Sequence, residues 1–355
     1  MSVQSDINEV ITDRSLLSNF SGRRVLITGA SGLLGSMLIK TLDRANGEYD
    51  LNISIIGHVR NEKKASTVLG DVVDHIELIC SDSFNIDTQC NYIIHTASPT
   101  ASKFFVDHPV ETIDTILSGT KQMLELAKRN KATFLYLSSM EEYGVPYKAG
   151  QLMTEDKVGI IDHLTPRSCY PEGKRMCECM CAAYASEYGV DTKIVRLAQT
   201  FGAGIPLTDN RVSMQFAKSV VDGKDIVLHT EGKSISNFCY LSDAIAGILT
   251  VAVKGQSGEA YNVCNDVETR SIYEIAKLVA DEVAQGEIDV VKNIPKNVNF
   301  GYAPDNTMRL CSEKIRKLGW TPKVNMVEGY RRLVSDIRRS KQPEIQRTVK
   351  QETLY

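Results

Sequence analysis

The stretch Arg24-Val25-Leu26-Ile27-Thr28-Gly29-Ala30-Ser31-Gly32-Leu33-Leu34-Gly35 decides the fold of this chain. Its first half is a continuous apolar run, as in a strand buried on both faces of a parallel sheet. A glycine-rich turn follows, then an apolar helical pattern from Met37 to Leu42. Gly29 permits a tight turn. Gly32 lets backbone approach a pyrophosphate at the helix N-terminus, and Gly35 lets helix and strand pack closely. Three glycines alone are a weak signal. Placed between strand and helix in one βαβ unit, they point to a dinucleotide, with Ser31, Leu33 and Leu34 completing the cradle.

Outward from this turn, apolar runs at Ile53–Ile56, Ile76–Cys80, Tyr92–His95, Phe134–Leu137 and Lys193–Leu197 predict further strands. Helical patterns at Lys63–Leu69, Val110–Arg129 and Tyr170–Tyr188 lie between them. Alternating strands and helices predict an α/β fold, a doubly wound parallel (Rossmann) sheet with helices on both faces. Beyond residue 200, short helices at Val212–Val221 and Ser271–Val283 mix with short strands and loops, predicting a smaller interleaved α+β substrate domain. Ser236–Ala246 reads as a return of the chain to the first domain. The expected division is a helical lead-in at 1–22, a dinucleotide-binding domain at 23–205 plus about 235–262, and a substrate domain at 206–234 and 263–338. In the lead-in, Ile7, Val10, Ile11, Leu16, Leu17 and Phe20 fall at roughly helical spacing, and it is expected on the outside. Residues 339–355 lack a core pattern and are expected to form a mobile polar tail.

Composition narrows the function classes. The chain has 355 residues, 41 Lys+Arg and 44 Asp+Glu, for a formal charge of −3. That balance lacks the basic footprint of a nucleic-acid binder. No apolar run spans a membrane, and the first residues show no basic-then-apolar leader, so a cytoplasmic location is expected. The nine cysteines are scattered and odd in number, as expected of reduced thiols. The six histidines form no metal-binding spacing, and no metal is expected.

With its GxxGxxG spacing, the chain resembles the short-chain dehydrogenase/reductase superfamily, in the extended form that acts on nucleotide sugars. The resemblance covers about residues 23–335. Besides the glycine turn it rests on Asp82, His95-Thr96-Ala97-Ser98, Ser138-Ser139-Met140-Glu141-Glu142-Tyr143-Gly144, the Tyr170 and Lys174 pair, and Leu318-Gly319-Trp320-Thr321-Pro322. It implies that Asp82, Ser83, Ala97 and Ser98 line the cofactor and that Thr100 lies toward substrate. An acid that would hold an NAD ribose is missing after the second strand, where Arg60, Lys63 and Lys64 stand instead. A guanidinium there accepts a 2′-phosphate, so Arg60 favours NADP, whereas the resemblance favours NAD.

Tyr170 and Lys174 are four residues apart and share one helix face. The resemblance makes them the catalytic pair. A phenol with a pKa of about 10 is a poor base until a nearby ammonium stabilises its phenolate. Ser139 is the matching proton relay, and Glu141 is the fourth catalytic candidate that the resemblance implies. The related 4,6-dehydratases carry an Asp-Glu pair where this chain has Met140-Glu141. A thioether donates no proton, so dehydration in that manner is disfavoured. His95–Ser102 and Arg167–Arg175 are similar to UDP-glucuronate decarboxylases. Those enzymes place an arginine six residues before Ser242-Asp243, where this chain has Ser236. The resemblance further puts Gln199, Arg211 and Arg309 on the substrate side and implies a homodimer through the Val110–Arg129 and Tyr170–Tyr188 helices. The expected function is NAD(P)-dependent modification of a nucleotide sugar by an epimerase/dehydratase-type enzyme. A sugar ketone reductase, a UDP-glucuronate decarboxylase and a non-catalytic cofactor sensor are the alternatives; retention of Tyr170 and Lys174 argues against the last.

Overall fold

The computed structural model describes residues 3–100, 102–295 and 306–352, with side chains as far as Lys341. The chain enters through α1 (Val3–Ile11) and α2 (Arg14–Leu17). Then come β1 (Arg24–Thr28), α3 (Leu33–Tyr49), β2 (Ser54–Val59), α4 (Glu62–Leu69), β3 (Glu77–Cys80) and β4 (Tyr92–His95). Helices α5 (Ser102–Asp107) and α6 (Pro109–Asn130) lead into β5 (Thr133–Ser139). A 3-10 turn at Met140–Tyr143, β6 (Leu152–Met153), α7 (Cys169–Tyr188), β7 (Thr192–Leu197) and β8 (Gln199–Phe201) follow. The chain continues through α8 (Val212–Asp222), β9 (Ile226–Leu228), β10 (Ile235–Tyr240), α9 (Leu241–Lys254), β11 (Glu259–Val263) and β12 (Asn265–Ser271). It closes with α10 (Ile272–Leu278), β13 (Val290–Lys292), β14 (Arg309–Leu310), α11 (Glu313–Arg316) and α12 (Met326–Glu352).

Seven strands form one parallel sheet in the order β11-β7-β5-β4-β1-β2-β3. The strand order reverses between β1 and β4, which opens a crevice at their carboxyl ends. Register brings Thr28, His58, His95 and Tyr136 side by side along that edge. One face is covered by α3 and α9, through Leu38, Leu42, Ile245 and Ile248. The other is covered by α6 and α7, through Ile116, Met123, Leu124, Cys177 and Cys181. A second core, built from Phe201, Phe216, Ile275, Tyr330 and Leu333, sits under the smaller sheet β12-β10-β8. No helix among the described residues is long and apolar enough to cross a membrane.

Several details depart from the sequence reading. A seventh strand, β11, extends the sheet beyond the six expected. Residues Ile235–Tyr240 do not rejoin the large sheet. They form β10 of the smaller one, and the chain returns only with α9 and β11. Alternation of apolar and polar residues specifies a strand but not its partners. The helix expected at Ser271–Val283 is α-helical only to Leu278 and then widens into a π turn through Val283. The expected mobile tail is helical up to Glu352, as the continuation of α12; residues 353–355 lie outside the described residues. The lead-in is more deeply engaged than expected. Ile7, Leu17 and Phe20 are buried, and Asp6 is wholly enclosed between Tyr240 (2.7 Å) and Arg332 (2.9 Å).

Candidate active site

The glycine turn lies at the crevice. Gly29 is left-handed (φ 67°), and a Cβ there would come within 2.9 Å of Ala97 and of Thr96 Oγ1. The loop after β4 is held that close because Thr96 Oγ1 donates to the Thr28 carbonyl (2.6 Å) and the Ala97 amide donates to Thr28 Oγ1 (3.3 Å). A Cβ on Gly35 would collide with the Gly29 carbonyl, so the helix meets the turn only as glycine. Gly32 is the N-cap of α3 and supplies no capping side chain. The first N–H groups of this 17-residue helix therefore face the crevice end without a side-chain acceptor, a fit for a diphosphate. Ser31, Leu33, Leu34, Ala97 and Ser98 are half-buried around it; Asp82, Ser83 and Thr100 are exposed on the loops after β3 and β4.

At the end of β2 a buried imidazole stands where a ribose-binding acid would. His58 meets the Ser81 carbonyl through Nε2 (3.0 Å) and tilts against Phe84. Burial holds its pKa below the ordinary value. Arg60, Lys63 and Lys64 follow and are exposed.

The candidate reacting groups lie where β5 ends and α7 begins. Ser139 caps the 3-10 turn, its hydroxyl accepting the Glu141 amide (3.2 Å), and the same hydroxyl favours ionisation of the Tyr170 phenol. Tyr170 is buried, its ring stacked on Phe105 at 4.3 Å between centroids. Lys174, one helical turn on, is 3% exposed. Its Nζ donates to the Leu137 carbonyl (2.8 Å) and lies 4.8 Å from the Tyr136 ring centroid and 5.6 Å from that of Tyr170. Burial pushes the Lys174 ammonium down to about 8. The phenol of Tyr170 is pushed up, by burial first and by the Glu141 carboxylate second, while Ser139 and Arg167 oppose the shift. The site in this form is poised with the phenol protonated.

Around these groups the turn is pinned by charge. Glu141 pairs with Arg167 (2.7 Å), whose guanidinium lies 4.9 Å from the Phe105 centroid. Glu142 is buried against Arg196 (3.1 Å), which also grips Glu178 of α7 (2.7 Å) and the Tyr143 hydroxyl (2.8 Å). Burial raises the Glu142 pKa, and the neighbouring Glu178 adds to it. Met140 points its sulfur at the Ser236 hydroxyl, 3.6 Å away, so the two positions that depart from the related enzymes touch each other.

The remaining substrate-side positions are spread over the second sheet region. Gln199 opens β8 and is exposed. Arg211 caps α8, pairs with Asp209 (2.9 Å) and reaches the Thr200 carbonyl (3.3 Å). Arg309 is exposed on β14, next to Leu310, whose amide bonds Asn237 beside Ser236. Seven of the nine cysteines are buried, including Cys177 and Cys181 on α7, while Cys80 and Cys179 are exposed. Among the described residues no group of three or more His, Cys, Asp or Glu converges as a metal site. Three participants escaped the sequence reading. Arg167 stood in a quoted motif without a role, Tyr136 stood only within a predicted strand, and Phe105 was not singled out.

A doubly wound parallel sheet with a glycine cradle at its switch point, and a Ser, Tyr and Lys constellation beside it, defines a nucleotide-cofactor enzyme class. The profile described as the NAD dependent epimerase/dehydratase family matches residues 25–264. The chain belongs to that family. It is similar to UDP-glucuronic acid decarboxylase 6 of Arabidopsis thaliana, 30% identical over 320 residues, covering 90% of each chain. Its fold is shared with UDP-glucose 4-epimerase of Thermotoga maritima (TM-score 0.75, 19% identity, 90% of this chain and 100% of that one). It is also shared with UDP-glucuronic acid 4-epimerase of Bacillus cereus, solved with UDP-glucuronic acid and NAD (TM-score 0.73, 20% identity, 89% and 99%).

Proposed function

We propose that this protein oxidises one carbon of a nucleotide-linked sugar transiently, with Tyr170 as the base. The observation that carries the reading is the Ser139, Tyr170 and Lys174 cluster at the crevice beside the Gly29–Gly35 cradle. A bound nicotinamide dinucleotide supplies the hydride acceptor. Ser139 hydrogen-bonds the reacting sugar oxygen and passes its proton toward Tyr170. Lys174 stabilises the phenolate, and its burial strengthens that attraction because little water screens it. The α3 N-terminus and the cradle backbone hold the diphosphate of the cofactor. Gln199, Arg211 and Arg309 meet the diphosphate of the substrate. Tyr170→Phe is expected to abolish turnover while leaving dinucleotide affinity within about twofold; near-normal turnover contradicts the reading.

Cofactor choice follows the charge after β2. Arg60, Lys63 and Lys64 are exposed there with no ribose-binding acid, which supports NADP over NAD. Titration with NADPH and NADH tests this: NADPH should bind about tenfold tighter, the value of one charge-assisted hydrogen bond. Equal affinities count against it.

A second reading, decarboxylation of a UDP-uronic acid, is favoured by the 30% identity to UDP-glucuronic acid decarboxylases. The Met140 and Ser236 contact weighs against it, since neither side chain offers charge to a carboxylate. Release of carbon dioxide from UDP-glucuronate decides between them. The assembly we infer is a homodimer through α6 and α7, whose Val110, Ile113 and Met176 are exposed apolar residues.

A further inference from the structure

Resting on Tyr170 as the base, we propose that Arg167 is a positioning residue for that base. It is a second cation beside Lys174 that sets when the phenol releases its proton, and Phe105 is its mount. The geometry has three parts. Phe105 is 1% exposed, and the Tyr170 ring stacks on it at 4.3 Å with planes 12° apart, which fixes the orientation of the phenol. The Arg167 guanidinium lies over the same Phe105 ring at 4.9 Å, a cation–π distance. Glu141 holds the other end of that guanidinium at 2.7 Å. One aromatic ring therefore locks the base and a cation in fixed relation, and the partner of the cation belongs to the turn that Ser139 caps.

The sign of each influence follows from charge. Arg167 favours the phenolate and Glu141 opposes it, so the pair is a dipole whose two ends act on Tyr170 in opposite directions. When Glu141 is drawn away from Arg167 by a substrate hydroxyl, the cation is left to act on the phenol. Substrate entry then makes the base more acidic only when the site is filled. The other groups facing Tyr170 are Ser139 and Tyr136 from β5 and Lys174 from α7. None of them is paired with Arg167.

The test is the ultraviolet phenolate difference spectrum of the dinucleotide-bound enzyme from pH 6 to 11, with the Tyr170→Phe spectrum subtracted. In Arg167→Gln the Tyr170 midpoint is expected to rise by about one pH unit, tenfold less phenolate at a fixed pH. In Glu141→Gln it is expected to fall, and Arg167→Lys should recover part of the loss. Circular dichroism checks that each variant is folded, and Phe105→Leu gives a second route, since it removes the mount while keeping the Arg167 charge. A Tyr170 midpoint unmoved by both Arg167→Gln and Phe105→Leu overturns the inference. Near-normal turnover by Tyr170→Phe instead overturns Tyr170 as the base.

Discussion

Lys174 is the residue at which chemistry and stability oppose each other. In the proposed mechanism its ammonium supports the Tyr170 phenolate, yet burial pushes its pKa down to about 8 from an ordinary value of about 10.4. Between those two values the unfolded chain holds a proton that the folded chain has released. Stability from this group therefore rises with pH across that window, and below about 8 the folded state bears the cost of a buried charge. Lys174→Met should raise the thermal midpoint more at pH 7 than at pH 9.5, with activity lost at both. An equal change at both pH values contradicts the depressed pKa. Tyr170, Lys174 and Ser139 could be singled out in the sequence through the family resemblance, and the fold brings the end of β5 beside the start of α7. Arg167 and Phe105 were not, because their roles exist only through a ring contact between α5 and the turn before α7.

At the scale of elements, the turn after β5 depends on what lies beneath it. Arg196 of β7 holds Glu142 of the turn and Glu178 of α7 together, and Arg175 of α7 donates to the Tyr143 and Gly159 carbonyls. Removing the guanidinium leaves two buried carboxylates with only Arg175, 3.8 Å from Glu142, as a counter-charge. Arg196→Met is expected to cost about 3–5 kcal/mol, the penalty of breaking a buried pair from one side. Denaturant unfolding measures it, and a loss below about 1 kcal/mol shows that the network is not needed. The strands and the helices α6 and α7 were readable from periodicity. Strand partnership was not, as β10 shows, because pairing with β8 and β12 depends on distant chain. The Leu318–Pro322 motif gained a physical cause only in three dimensions. Trp320 Nε1 donates to the Asp243 carbonyl (3.0 Å), and the Asp243 carboxylate accepts the Lys323 and Val324 amides (both 2.9 Å), tying that loop to α9.

At the scale of the whole molecule, the proposed reading has a near-neutral chain meet anionic ligands with a few placed groups rather than a basic face. In that reading the α3 N-terminus, the exposed Arg60 cluster and Arg309 supply the positive potential, with Arg211 already paired to Asp209. The lead-in that reads as peripheral is a structural tie, since Asp6 of α1 links Tyr240 of β10 to Arg332 of α12. Transient oxidation at one sugar carbon can be followed by an isotope measurement. Nucleotide sugars deuterated singly around the ring are turned over in ordinary water, and the product is examined by mass spectrometry and NMR. The account predicts that deuterium at the oxidised carbon is retained in the product or is carried by the dinucleotide. Washout of that deuterium into water contradicts it.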